Sequence, residues 1–168
     1  MSGGSSLSFS SLETPIGWIY VVSDGVFVTE IAFERPPYPE GQAGGAVARQ
    51  LKEYFDGERF VFDIGINYGR FSMFYSVVYK ALREIPYGVT CSYKELAERA
   101  GSPSAARAVG QAMSHNPIPI ILPCHRVIAS DGSLGGYSGG VAIKEKLLAL
   151  EKQYVNARKD TEIWTRNH

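Results

Sequence analysis

Seven consecutive residues, Asn116-Pro117-Ile118-Pro119-Ile120-Ile121-Leu122, limit the architecture of this chain more than any others. Two prolines remove backbone donors and fix φ, which bars a helix. The apolar side chains between them demand burial. The run therefore reads as a buried extended segment that delivers Pro123-Cys124-His125-Arg126-Val127 into the interior. A chain that buries such a segment needs a core around it. Its 168 residues, 45% of them hydrophobic, suffice for one domain or two small ones.

Periodicity changes near residue 70. From Phe9 to Phe33 polar and apolar residues alternate, with Thr14-Pro15-Ile16-Gly17 and Ser23-Asp24-Gly25 as turns, which predicts an antiparallel meander. A loop follows from Arg35 to Gly45. Helical spacing then covers Ala46 to Phe55 (Val47, Leu51, Tyr54, Phe55) and stops at Asp56-Gly57, and Phe60-Val61-Phe62 reads as another strand. Residues 1–70 are thus expected to be a small α+β scaffold domain, and 71–168 a separate, mostly helical one.

In the second half, Met73 to Arg83 reads as a helix with Val77, Val78, Ala81 and Leu82 on one face, followed by the turn Ile85-Pro86-Tyr87-Gly88. Ser92 with Glu95 three residues later is a capping-box signature for a helix ending at Gly101. Ser102-Pro103-Ser104 leads into a second helix, Ala105 to Met113. Two short helices joined by a Gly-containing turn are the layout of a helix-turn-helix, which also occurs as plain packing. The second helix is nearly devoid of bulk. Ala105, Ala106, Ala108, Gly110 and Ala112 leave Arg107 as the only cation of the first turn. Such a surface suits the narrow minor groove better than major-groove base reading, and small residues equally serve close helix packing. A last helix spans Lys144 to Glu151. Beyond it lies a basic-leaning tail with Lys152, Arg158, Lys159 and Arg166, read as disorder, a short helix or a further nucleic-acid contact.

Net charge is zero, yet residues 1–70 hold five Lys/Arg against nine Asp/Glu, and 71–168 hold twelve against eight. The positive half suits an anionic partner such as nucleic acid, although two solvated surfaces that merely differ give the same count. No run approaches the roughly 20 apolar residues of a membrane helix. The first six residues lack the charge and apolar stretch of a signal peptide. The expectation is an intracellular protein with no membrane association, cytoplasmic, or nuclear in a eukaryote. Two cysteines in such a chain argue for free thiols, with Cys91 a packing residue.

A buried cysteine is by default inert, because burial disfavours the thiolate that nucleophilicity requires. The neighbours of Cys124 change that reading. His125 and Arg126 adjoin it, and Glu151 can orient an imidazole, which completes a nucleophile, base and orienter. Adjacent side chains need not face each other, so a water can bridge Cys124 and His125. A cysteine hydrolase fits the triad but lacks an oxyanion-hole loop and leaves the helix pair unexplained.

Pro123-Cys124-His125-Arg126-Val127 resembles the active-site signature of the O6-alkylguanine-DNA alkyltransferases. The similarity extends to Ser92-Tyr93, Ala105 through Gly110, Asn116-Pro117, Gly136-Tyr137-Ser138-Gly139-Gly140, Lys144, Leu147-Leu148 and Glu151. It is nearly continuous from Tyr87 to Glu151, and looser through Thr14-Pro15-Ile16-Gly17 and Glu53 to Gly57. The resemblance implies an α+β chain: a small ribonuclease H-like β-sheet domain, then a mostly helical domain with a winged-helix-like helix-turn-helix. It implies a monomer that binds the minor groove of double-stranded DNA and flips out an O6-alkylguanine. Cys124 would take the alkyl group irreversibly, once per molecule, activated by His125 through water with Glu151 holding the imidazole. Asn116 would brace the turn before the active site. Arg107 would fill the space of the extruded nucleotide, with Ser104, Ala105 and Ala106 beside it on DNA. Tyr93 would rotate the phosphate and bond the guanine, and Ser138 would reach its O6. Met113, Pro119, Tyr137, Gly139 and Lys144 would line the pocket, with the carbonyls of Cys124 and Val127 taking the guanine amino group and Arg126 structural. No cofactor is implied. Some relatives bind zinc through Cys and His in the first half, whereas residues 1–70 here contain neither, so no such metal site is expected. Relatives that bind alkylguanine without repairing it, or that regulate transcription, are the alternative, and those that do not repair replace the cysteine.

Overall fold

The computed structural model describes residues 6–42 and 44–167, with side chains up to Lys159. The first five residues, on which the signal-peptide expectation rests, and the Arg166 side chain lie outside this description. The fold is mixed α/β: a three-stranded antiparallel sheet, then a helical region. β1 (Ser8–Thr14), β2 (Gly17–Ser23) and β3 (Val28–Ala32) form the meander in the order β1-β2-β3. Its first turn closes because Thr14 Oγ1 donates to Gly17 O at 2.6 Å and accepts from Ile16 N, with Gly17 at φ 106°. In the second, the Asp24 carboxylate accepts from Val26 N and Phe27 N.

α1 (Gly45–Phe55) buries Val47, Leu51, Tyr54 and Phe55, the spacing read from the sequence. The strand expected at Phe60-Val61-Phe62 does not form. Side chains, not a neighbouring strand, take up the backbone there. Gln50 exchanges two hydrogen bonds with the backbone of Asp63, Arg83 donates to Phe62 O and Ile64 O, and Arg59 donates to Val61 O.

α2 (Met73–Arg83) starts at the Ser72 cap. α3 (Tyr93–Arg99) carries both halves of its capping box: Ser92 Oγ accepts from Glu95 N, and Glu95 accepts from Ser92 N at 2.6 Å. α4 (Ala106–Ser114) buries Val109, Ala112 and Met113, and Tyr79 of α2 donates to Ala112 O. α5 runs from Val141 to Asn167, so the helix is longer at both ends than Lys144 to Glu151 and takes in the basic tail. Among the described residues no helix is long and apolar enough to cross a membrane.

A two-residue parallel ladder joins β4 (Cys91–Ser92), at the foot of α3, to β5 (Val127–Ile128), with Cys91 opposite Val127. Buried residues from Ile19 to Leu147 form one cluster, and the Pro-rich run lies inside it.

Candidate active site

The run from 116 to 122 is not extended. It folds back as a buried turn in which Leu122 N donates to Ile118 O at 3.0 Å. Ile120, 1% exposed, sits at φ 74°, which β-branched residues rarely adopt. Surrounding packing has to hold it there. Asn116 contributes directly, since its Nδ2 donates to Leu122 O at 2.8 Å and its Oδ1 accepts from Ile118 N at 3.0 Å. Pro117 O accepts from Ile31 N of β3, which ties the turn to the first sheet. The turn ends in one 3₁₀ turn, Cys124–Arg126, that leads into β5.

Cys124 is 3% exposed. Burial pushes its thiol up to about 11, against the opposing pull of the Asn116 side chain, the Lys144 ammonium and nearby backbone amides. At neutral pH the resting group is the thiol, so reaction requires a base. His125 is wholly buried and held neutral, because burial outweighs the raising effect of Glu151. Its Nε2 lies 2.7 Å from Glu151 Oε1. Burial alone would raise the Glu151 carboxyl, but hydrogen bonds from His125 and Arg126 together with the Arg126 charge hold it well below the usual range. An ionised carboxylate only accepts, so Nε2 carries the proton and Nδ1 is a bare acceptor. Nδ1 is buried with no hydrogen-bond partner among the described residues. A buried basic atom on the residue next to a buried thiol can take a proton through a small bridging molecule.

Glu151 is densely bonded. Arg126 donates from Nε and Nη2 at 2.8–3.1 Å, and its Nη1 donates to Ile85 O. Gly88 N donates to Oε2 at 3.0 Å. Tyr54 Oη, from α1, donates to Oε1 at 2.8 Å. The sequence places Tyr54 on a helix face and Gly88 in a turn and assigns neither to the site. An aromatic at helical spacing reads as core, and nothing local reveals a carboxylate 97 positions away.

The loop after β5 is clasped by Lys144, which is wholly buried and donates to the carbonyls of Val127 (2.7 Å), Leu134 and Gly136. Tyr93 packs against the same loop, where a Cβ on Gly135 would lie 2.9 Å from its hydroxyl. Tyr137 stacks at a tilt on Phe33, 5.9 Å between centroids, and the Phe33 ring also covers Gly139. Ser138 and Gly139 open with Asn116 onto a cleft of about 680 Å³ that residues 30–38 close on the other side. Met113, Pro119 and Val127 are buried in the core around Cys124. Arg107 and Ser104 are exposed, Ala105 and Ala106 half-buried, along the start of α4. The structure thus draws Asn116, Cys124, His125, Glu151 and Lys144 together, and sets Arg107 apart on the surface.

Comparison with known proteins adds an independent finding. Residues 73–153 match the family described as 6-O-methylguanine DNA methyltransferase, DNA binding domain. A methylated-DNA–protein-cysteine methyltransferase of Mycolicibacterium paratuberculosis is 42% identical over 157 residues, 88% of this chain and 94% of the relative. This chain belongs to that family. A methyltransferase of the same name from Methanosarcina acetivorans is 51% identical over 152 residues, 85% of this chain and 97% of its own. Among solved structures, Mycobacterium tuberculosis OGT in complex with DNA superposes with a TM-score of 0.80 at 42% identity, covering 88% of this chain and 94% of that one. The similarity to these methyltransferases takes in α1, whose Tyr54 reaches Glu151, as well as the segment around Cys124.

Proposed function

We propose that this methyltransferase repairs DNA by direct reversal, moving the alkyl group of an O6-alkylguanine onto Cys124. One observation supports the reading: the buried Cys124 thiol directly precedes His125, whose buried Nδ1 has no hydrogen-bond partner among the described residues and whose Nε2 bonds the Glu151 carboxylate. His125 takes the thiol proton, and the imidazolium that forms is held by Glu151. The sulfur attacks the alkyl carbon, the carbon–O6 bond breaks, and its electron pair passes to guanine O6. Tyr93 and Ser138 donate hydrogen bonds to the guanine as charge develops. A thioether does not leave again under mild conditions, so each molecule acts once.

The partner is double-stranded DNA approached through the minor groove by a monomer, in the cytoplasm or, in a eukaryote, the nucleus. An alkyl carbon inside a duplex is out of reach until its nucleotide is extruded, at a cost of a few kcal/mol. Arg107 fills the gap left in the stack, with Ser104, Ala105 and Ala106 against the backbone. Met113, Pro119, Tyr137, Gly139 and the carbonyls of Cys124 and Val127 receive the flipped base, and Asn116 and Lys144 hold the walls. The division of labour is a scaffold unit, 1–70, and a DNA-binding and reacting unit, 71–168.

The test is intact-protein mass spectrometry after incubation with a duplex carrying one O6-methylguanine. The expected result is the mass gain of one methyl, mapped to the Cys124 peptide and absent in Cys124→Ala. Unmodified protein, with the lesion bound and persisting, would instead identify a binding or regulatory protein.

A further inference from the structure

The donors to Glu151 come from three parts of the chain, and one of them stands out. Gly88 follows α2, and His125 and Arg126 belong to the active-site segment. Among the described residues Tyr54 alone comes from the first 70, and it bonds Oε1, the oxygen that meets His125.

The seat of that hydroxyl is built, not incidental. Tyr54 is wholly buried, with its ring in edge contact with Phe55 (5.1 Å) and Tyr87 (5.6 Å) and tilted on Phe62 (5.6 Å). Just beyond it, Gly57 at φ 76° lets the Tyr154 ring of α5 come so near that a Cβ would lie 2.3 Å from it. Tyr154 Oη donates back to Phe55 O at 3.2 Å. The end of α1 is thus clamped to α5 one turn from Glu151, which fixes the phenol on the carboxylate. Burial and the nearby carboxylate raise the Tyr54 phenol well above its usual range, so it donates at any working pH.

We infer that Tyr54 is a positioning residue for the transfer reaction: it sets the direction and basicity of Glu151 Oε1 and through it the proton affinity of His125. This rests on the function proposed above and assigns the scaffold unit a part in the chemistry. A carboxylate oxygen shared among donors gives less to each of them. Removing the phenol concentrates charge on the side that faces His125, which raises the proton affinity of the imidazole. Other groups facing the pair are Arg126, Lys144, Tyr87 and Tyr137, with the Cys124 thiol close by, and none of them changes in the test.

The experiment measures the single-turnover rate of methyl transfer against pH for the native protein, Tyr54→Phe, and protein carrying 3,5-difluorotyrosine at position 54. Affinity for undamaged duplex and thermal melting are recorded alongside. Transfer by the native protein tests the repair reading, and comparison among the three tests the role of Tyr54. The expected result is an acid limb displaced upward by about half a pH unit in Tyr54→Phe, roughly a threefold gain in proton affinity. The fluorinated phenol, a stronger donor of nearly native volume, moves the limb downward, and DNA affinity is unchanged in both. Should Tyr54→Phe fail to melt cooperatively, the fluorinated protein decides alone. A limb that stays in place, or moves the same way in both, assigns Tyr54 to packing and overturns the inference.

Discussion

Replacing Arg126 with Met asks what keeps a carboxylate in the core. Arg126 is 5% exposed, and its guanidinium bonds both oxygens of Glu151 and also donates to Ile85 O. Met fills much of the same space over the Tyr87 ring, so the change removes charge and donors more than volume. Breaking a buried pair by deleting one partner costs about 3–5 kcal/mol. Tyr54, Gly88 and His125 still serve Glu151, which places the loss near the lower bound, about 3 kcal/mol. For a chain of this length that is a fall in Tm of about 6–12 °C. The pH dependence carries a sign. Glu151 is held below its ordinary 4.5 in the folded protein, so its stabilisation is complete above pH 4.5 and is lost as pH falls toward the folded value. Without Arg126 the folded value rises and less is lost on acidification. Urea titrations at pH 7 and pH 4 should therefore show a deficit that narrows in acid. Met with Glu151→Leu should recover part of it, because the stranded charge is gone. A deficit under about 1 kcal/mol at pH 7, or one that stays constant into acid, would refute the reasoning.

Arg107→Ala should slow repair of duplex lesions far more than reaction with free O6-methylguanine, since only the duplex requires extrusion; equal losses would remove Arg107 from that step. The Cys124 thiol, raised from 9.0 to about 11, binds its proton more tightly when folded, so stability should hold below pH 9 and fall by about 2–3 kcal/mol as pH approaches 11. Cys124→Ser should flatten that decline in alkaline urea titrations. Lys144→Met strands three carbonyls and should cost about 2–4 kcal/mol, with faster proteolysis between residues 128 and 140. Cleavage at the native rate would show that the clasp does not order the loop.

Local rules were legible wherever the physics is local. Ser92 and Glu95 announced their capping box, and the Ala46 to Phe55 and Met73 to Arg83 helices announced themselves by spacing, because cap and period need only a few neighbours. Phe60-Val61-Phe62 misled because strand propensity says nothing about a ladder partner, and Gln50, Arg59 and Arg83 take up that backbone instead. The two prolines of the 116–122 run exclude a helix, yet whether it extends or turns depends on Asn116 bonding Ile118 N and Leu122 O. At the site, His125 and Glu151 stand out in the sequence through the segment around Cys124. Tyr54 does not, because its role exists only once α1 lies against α5.

The short parallel ladder between Cys91-Ser92 and Val127-Ile128 has a mechanical consequence. It fastens Ser92, the N-cap of α3, to the strand that follows the Cys124–Arg126 turn, and Tyr79 of α2 fastens α4 in turn. The helix pair and the thiol therefore behave as one stiff part, like a tool and its jig. Whatever surface the helices rest on, an error in how they seat is passed on to the segment that carries Cys124. In the single-use reaction proposed above, alignment of the target is then settled at the moment of docking.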